Sequence, residues 1–258
     1  MDRKNSGHLH LVIATPGIGA VVQQRYMQSI CVVLQSCQAS RIGYSLELIT
    51  HDPILSRAYN TLVAKFMDRP TATHLLFASS NIGFSPEALQ RLFQANKDIA
   101  AGVYPKAEVV WNDAALARVS RGEDLGTAPL RYSATPTGPE GKPEHQDNDF
   151  AQAEFADAGF MLIRRQVFEK MFEAYPNLHY RNVQGGGPAQ NSPHQYALFD
   201  PFIERKTNTY FSGADAFCRR WRMIGGEIWI DMDSHIYHIG PHEFFASPKP
   251  RYTELVTE

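Results

Sequence analysis

Four short segments of this chain place hydroxyls, amides, rings and charges where an apolar run stops. They are Thr15-Pro16, Thr50-His51-Asp52, Ser79-Ser80-Asn81 and Tyr104-Pro105-Lys106. Groups of this kind hold a polar ligand by hydrogen bonds and charge. Arg57 lies just beyond the second segment, where a guanidinium either reaches a phosphate or projects from the surface; both readings stand. Neither a G-x-G-x-x-G turn nor a G-x-x-x-x-G-K-S/T loop follows any of the apolar runs, which argues against a dinucleotide fold and a P-loop NTPase. Cys31, Cys37 and Cys218 show no C-x-x-C spacing, so zinc is not indicated. An odd cysteine count behind a polar start, Met1 to Ser6, with no secretion signal and no membrane-length apolar run, predicts reduced thiols in the cytoplasm.

The elements that position these segments follow from periodicity. Apolar strands are predicted over Leu9 to Ala14, Tyr44 to Thr50, His74 to Ala78 and Asp98 to Val103. Between them, helical spacing runs from Val22 to Ser36, from a cap at Ser56 through Phe66, and onward from Ser85-Pro86-Glu87, where Ser caps and Pro takes the first helical position. Strand and helix alternate four times, which predicts an α/β fold with a mostly parallel central sheet flanked by helices. Ligands in such sheets sit beyond the carboxyl ends of the strands, where the four polar segments fall. Trp111 to Phe150 is poor in large apolar residues and reads as a long irregular, flexible excursion. Order resumes with a strand over Gly159 to Arg164, helices over Gln166 to Ala174 and Gly213 to Met223, and strands over Glu227 to Asp231 and His235 to Ile239. A chain of 258 residues, 43% hydrophobic and 20% charged, with 25 basic and 27 acidic residues, supports one large domain and gives no nucleic-acid signature. The division expected within it is 1–110 for nucleotide binding, 111–152 for the excursion and 153–258 for the acceptor side.

In order along the chain, several blocks resemble the GT-A glycosyltransferases, in particular small bacterial, phage and viral members. They are Ala14-Thr15-Pro16; Ser56-Arg57-Ala58-Tyr59-Asn60-Thr61-Leu62-Val63; Thr73 through Phe84; Ala101-Gly102-Val103-Tyr104-Pro105-Lys106; Gly159 through Arg165; Ala216 through Trp221 with Gly225-Gly226-Glu227-Ile228-Trp229; and Tyr237-His238-Ile239-Gly240. The resemblance implies a GT-A-like, Rossmann-like fold and transfer of a hexosyl group from a sugar nucleotide, the co-substrate, to a glycan, protein or small-molecule acceptor, in a protein that can be a homo-oligomer. Thr15, Pro16, Asp52 and Arg57 would frame the nucleotide, Ser79, Ser80 and Asn81 would lie near ribose and diphosphate, and Lys106 and His238 would offset phosphate charge.

Two departures from the family pattern qualify this. Ser79-Ser80-Asn81 stands where the family carries Asp-x-Asp, the carboxylates that hold Mn or Mg; neutral oxygens bind such hard cations far more weakly. What remains as a metal set is His238 and Asn81, or none, and the chemistry is expected without the usual cation. Gly213-Ala214 stands where the family often has Glu-Asp, with Asp215 one residue late. Asp215 is then either a displaced catalytic base or, with Ser212, the first turn of a helix in a capping box. His238 is either a ligand or a structural strand residue. Asp231, Asp233, His235 and His242 add potential ligands in a spacing that fits no template. Gly185-Gly186-Gly187 reads as a flexible loop or an acceptor-side lid, and Arg219-Arg220 with Arg222 as a basic cluster that either faces phosphate or, the expected case, projects into solvent. The alternative function is an inactive homologue that binds sugar nucleotide or glycan, or partners an active transferase.

Overall fold

Strand β1 (His10–Pro16) is an unbroken apolar run buried from Leu11 onward, as a strand covered on both faces must be. A computed structural model describes residues 9–17, 19–49, 51–138, 143–181 and 192–252. After β1 the chain forms α1 (Gln24–Ala39), β2 (Gly43–Ile49), α2 (Leu55–Met67), β3 (His74–Ala78), β4 (Ile82–Gly83), α3 (Pro86–Gln94), β5 (Ile99–Gly102) and β6 (Pro105–Val109). It continues with α4 (Asp113–Ser120), β7 (Leu130–Tyr132), β8 (Ala134–Pro136), β9 (Gln146–Asp147), β10 (Phe150–Ala156), β11 (Phe160–Arg164) and α5 (Arg165–Ala174). Last come β12 (Phe202–Glu204), β13 (Thr209–Phe211), α6 (Ala214–Met223), β14 (Ile228–Asp231), β15 (Tyr237–Ile239), β16 (Glu243–Phe245) and α7 (Lys249–Tyr252).

A nine-stranded sheet in the order β2-β1-β3-β11-β5-β14-β10-β8, with β9 on β10, forms the centre. β1 pairs in parallel with β2 and β3, and β14 with β5. β11 inserts antiparallel between β3 and β5, so β2, β1, β3, β5 and β14 share one direction, with their carboxyl ends along one edge. α1 and α3 cover one face through Tyr26, Ile30, Val33, Leu89 and Leu92. α2, α5 and α6 cover the other through Leu62, Phe66, Phe168, Phe217 and Trp221. Among the described residues no helix is long and apolar enough to cross a membrane.

The structure changes three local expectations. The 111–152 excursion is regular for much of its length: it carries α4, β7, β8 and β9 and enters β10, adding strands to the main sheet. Its small residues suit this packing, since Ala128, Ala151 and Ala153 are buried. Ser56 does not cap α2. The cap position is Ile54, with no side-chain cap bond; Asp52 accepts from the Ile54 N–H at 2.9 Å instead. Arg220 does not face solvent. It is buried and donates to the Leu198 and Asp200 carbonyls at 2.6 and 2.8 Å, while Arg219 pairs with Glu204 and Arg222 approaches Glu154 at 3.7 Å. Ser85 caps α3 as expected, accepting from Ala88 N at 3.3 Å.

Gly226 joins α6 to β14 where a side chain has no room: an added Cβ would lie 2.0 Å from the Trp221 indole. Trp221 in turn donates to the Glu227 carbonyl at 2.9 Å. Gly226→Ala is therefore expected to destabilise the fold by about 1–3 kcal/mol through overpacking, read as a lower midpoint in denaturant titration; an unchanged midpoint would show that the indole has somewhere to go.

Candidate ligand site

The carboxyl ends of β3 and β5 meet the turn Asp157-Ala158-Gly159, because β11 starts beside the end of β3. Phe160 is in register with Ala78, and Ser79 N donates to the Gly159 carbonyl at 2.9 Å. Tyr104, just beyond β5, fills the space over this turn. Its hydroxyl accepts from the Gly159 N–H and donates to the Asp157 carboxylate. Position 159 must be glycine for this, since a Cβ there would lie 1.9 Å from the Tyr104 hydroxyl. Ser133 locks the same corner: its Oγ accepts from Tyr104 N at 3.0 Å, and its carbonyl accepts from Asp157 N at 2.7 Å. The Ser79 hydroxyl meets the buried Tyr59 hydroxyl from α2.

Around Asp157 stand Lys106, His238 and Asp215: the charges of Lys106 and His238 act on Asp157, and those of Asp157 and Lys106 act on Asp215. Burial pushes the Asp157 carboxyl above the ordinary range, against the opposing pull of Lys106, the Tyr104 hydrogen bond, His238 and the Ala158 N–H. Burial and then the like charge of Asp157 push Asp215 up as well, again opposed by Lys106. Asp215 sits in the first turn of α6 without a capping box, because the cap position is Gly213 at φ 53° and makes no side-chain cap bond. Burial holds the His238 imidazole below its usual value. Its Nδ1 lies 3.0 Å from the Pro105 carbonyl, and so carries the proton. Nε2 then faces Asn81 Nδ2 at 3.0 Å as acceptor, and the same amide reaches the Ile239 carbonyl at 3.3 Å.

The other sequence-predicted residues separate into two groups. Ser79, Ser80 and Asn81 join the cluster edge, with the Ser80 carbonyl accepting from Gln23 N at 2.8 Å and the Asn81 carbonyl from Ile239 N at 2.8 Å. Asp52 and Arg57 grip each other in a bidentate pair at 2.7 and 2.8 Å at the neighbouring end of β2, beside Tyr180. Thr15 and Pro16 are buried; the Thr15 hydroxyl bonds Tyr26, so it supports the strand end from below rather than facing a ligand. Gly185-Gly186-Gly187 lies outside the described residues.

Asp157 escaped the sequence reading. It stands two residues before Gly159-Phe160, at the start of a buried strand, and nothing in the spacing shows that the turn folds under Tyr104. The hydroxyl partners of Tyr59 and Tyr104 depend on long-range packing that no local pattern displays.

His238 and Asn81, the two residues nominated for a metal, bond each other. The imidazole lone pair is already used, and among the described residues no three His, Cys, Asp or Glu side chains converge as a metal set. These residues do not fit a divalent cation.

A cleft of about 710 Å³ lies at the opposite, amino end of the sheet, lined by Lys97, Lys170, Trp221 and Trp229 among others. Its size does not make it the better site, because both indoles are buried, with the Lys97 ammonium 3.8 Å above the Trp229 ring and that of Lys170 5.7 Å above the Trp221 ring. No aromatic face is open there for stacking.

Among the solved structures that this chain is similar to are three of low sequence identity. A197 from STIV is 13% identical with a TM-score of 0.49, over 97% of each chain. A glycosyltransferase involved in glycosylation of the major capsid of PBCV-1 is 10% identical with a TM-score of 0.32, over 66% of this chain and 67% of that one. A 4-diphosphocytidyl-2C-methyl-D-erythritol synthase from Anaerococcus prevotii is 8% identical with a TM-score of 0.32, over 69% and 81%. No family model matches the chain, and no curated protein matches it either.

A carboxyl whose folded-state pKa is raised costs stability once it ionises; below its unfolded value the cost is absent, and it appears as pH rises through the folded value. Asp157→Asn is therefore expected to raise the thermal midpoint at neutral pH. The gain should shrink to nothing as pH falls through the carboxylate range, since Asn can still accept from Tyr104. A neutral-pH loss of stability in Asp157→Asn would contradict the burial cost assigned to this carboxyl.

Proposed function

We propose that the chain is a glycosyltransferase-like protein that binds a nucleotide-activated sugar at the carboxyl end of its sheet and transfers the sugar to an acceptor hydroxyl. The observation that carries the reading is the meeting of Asp157, Asp215, Lys106 and His238 at that end, where ligands of open α/β sheets sit. Lys106 with the Ser79 and Ser80 donors takes the diphosphate, Asn81 fixes His238 beside it, and Asp52 with Arg57 borders the nucleotide. Asp215, on the exposed side of the cluster, is the base, and burial together with the neighbouring Asp157 charge keeps it basic. In the transfer the acceptor oxygen bonds to the anomeric carbon as its proton passes to Asp215. The bond from that carbon to the diphosphate breaks, and the nucleoside diphosphate leaves with the electron pair, its charge met by Lys106. Mn and Mg are not required for donor binding in this scheme.

The rival reading is a module that binds a sugar nucleotide without turning it over, since Ser79-Ser80-Asn81 and Gly213-Ala214 stand where the resembled transferases carry both acidic motifs. The test is calorimetry with uridine, guanosine, cytidine and thymidine diphosphate sugars in the presence of chelator, followed by product assays with a panel of acceptors. Binding by the wild type is expected to persist in chelator and to weaken at least about tenfold in Lys106→Ala, a loss of roughly 1.4 kcal/mol. Asp215→Asn should keep binding and lose turnover by about 100-fold or more. Binding without turnover would leave the module reading, and no binding by folded protein would remove both.

A further inference from the structure

Among the described residues β2 ends the sheet with no strand on its outer side, and its sequence is unusual for an edge. Gly43 N donates to the Leu9 carbonyl and the Ile49 carbonyl accepts from Gly17 N, so these residues turn their backbone groups inward to the β1 side. Alternation along a strand then turns the N–H and C=O of Tyr44, Leu46 and Leu48 outward. The same three side chains are large, apolar and 41%, 37% and 43% exposed. They share the sheet face covered by α1, since their register partners Leu11 and Ile13 lie in the core under that helix. Arg25, Gln28 and Val32 line a cleft on one flank of α1. At about 100° per residue, Met27, Cys31 and Leu34 fall on the flank toward β2, and Met27 is 52% exposed.

Protective devices of edge strands are lacking here. β2 has no proline, no lysine and no irregularity in its register with β1, the features that normally keep edges apart. Its one charge, Glu47, points to the other face and is held by Lys65 at 2.9 Å and by Arg69. Burial pushes the Glu47 carboxyl up, but these two partners outweigh it and hold it below the usual range.

We infer that β2 is the seam of a homodimer in which two copies of this chain pair their β2 strands antiparallel about Leu46, continuing the sheet across a two-fold axis. This register places Leu46 against its twin and Tyr44 against Leu48 of the other copy. It satisfies every outward N–H and C=O of the three residues and meets apolar side chain with apolar side chain. It sets Glu47 opposite Ser45 of the other copy rather than opposite itself, so no like charges face each other. The two α1 helices close over the apolar strip from either side, through Met27 and Cys31. A shift in register leaves at least one of the three outward residues unpaired.

Sedimentation velocity on the full chain at rising concentration tests this, together with hydrogen exchange read at single amides. Two-chain mass is expected, with protection of the Tyr44, Leu46 and Leu48 amides that increases with concentration. Leu46→Lys should raise the dissociation constant at least about tenfold with unchanged far-UV circular dichroism; Tyr44→Lys serves if that variant fails to fold. Single-chain mass up to about 100 µM would overturn the proposal. So would a dimer that withstands the lysine or leaves those three amides unprotected, because its seam would lie elsewhere.

Discussion

The hydrogen bond from the buried Tyr104 hydroxyl to the Asp157 carboxylate ties together the parts of the sheet that would handle a ligand. Tyr104 leaves β5, Asp157 lies in the turn before β11, and the Gly159 N–H completes the link. Burying an ionisable carboxyl costs free energy unless hydrogen bonds and charge offset it, and the offset here is incomplete, since the carboxyl stays above its ordinary range. A fold that retained this arrangement for stability alone would do better with a neutral side chain. Sites that carry perturbed carboxyls at the expense of stability are typical of chemistry.

The charge balance of the cluster sets what it can do. Burial raises both Asp157 and Asp215, the Asp157 charge raises Asp215 further, Lys106 opposes both, and His238 is neutral with its lone pair turned to Asn81. That favours accepting a proton from an acceptor hydroxyl more than holding a bare dianion. In the proposed transfer, diphosphate binding rests on Lys106 and the neutral donors of Ser79 and Ser80. The Asp52–Arg57 pair spends its guanidinium within the protein, and an exposed pair of this kind contributes little stability of its own.

Much of the framework was legible in the sequence because it depends on local pattern. Strands β1, β2, β3 and β5 and helices α1 and α3 follow from period and turn residues, and Ser85-Pro86 marked a helix start that the structure keeps. Ser56 misled because a downstream serine resembles a cap, while Asp52 supplies the bond from outside the helix. The excursion misled because alanine-rich strands such as β10 carry little hydrophobic signal even though they pack against α6. Arg220 misled because three arginines in one helix look like a solvated face, and only the loop at Leu198 to Asp200 reveals its carbonyl partners. Lys106, His238 and Asp215 came from resemblance and do cluster, whereas Asp157, at their centre, has no local signature at all.

The central claim is that the polar carboxyl end of the sheet, not the larger cleft at the amino end, receives the ligand. Residue-resolved hydrogen exchange with and without saturating nucleoside diphosphate sugars measures this directly. The account expects slowed exchange at Ser79 to Asn81, Tyr104, Lys106, Asp157 to Gly159 and Ile239, with the stretches Asn96 to Asp98 and Gly225 to Trp229 unchanged. Protection confined to those last stretches, around Trp221 and Trp229, would place the ligand at the wrong end of the sheet and contradict it.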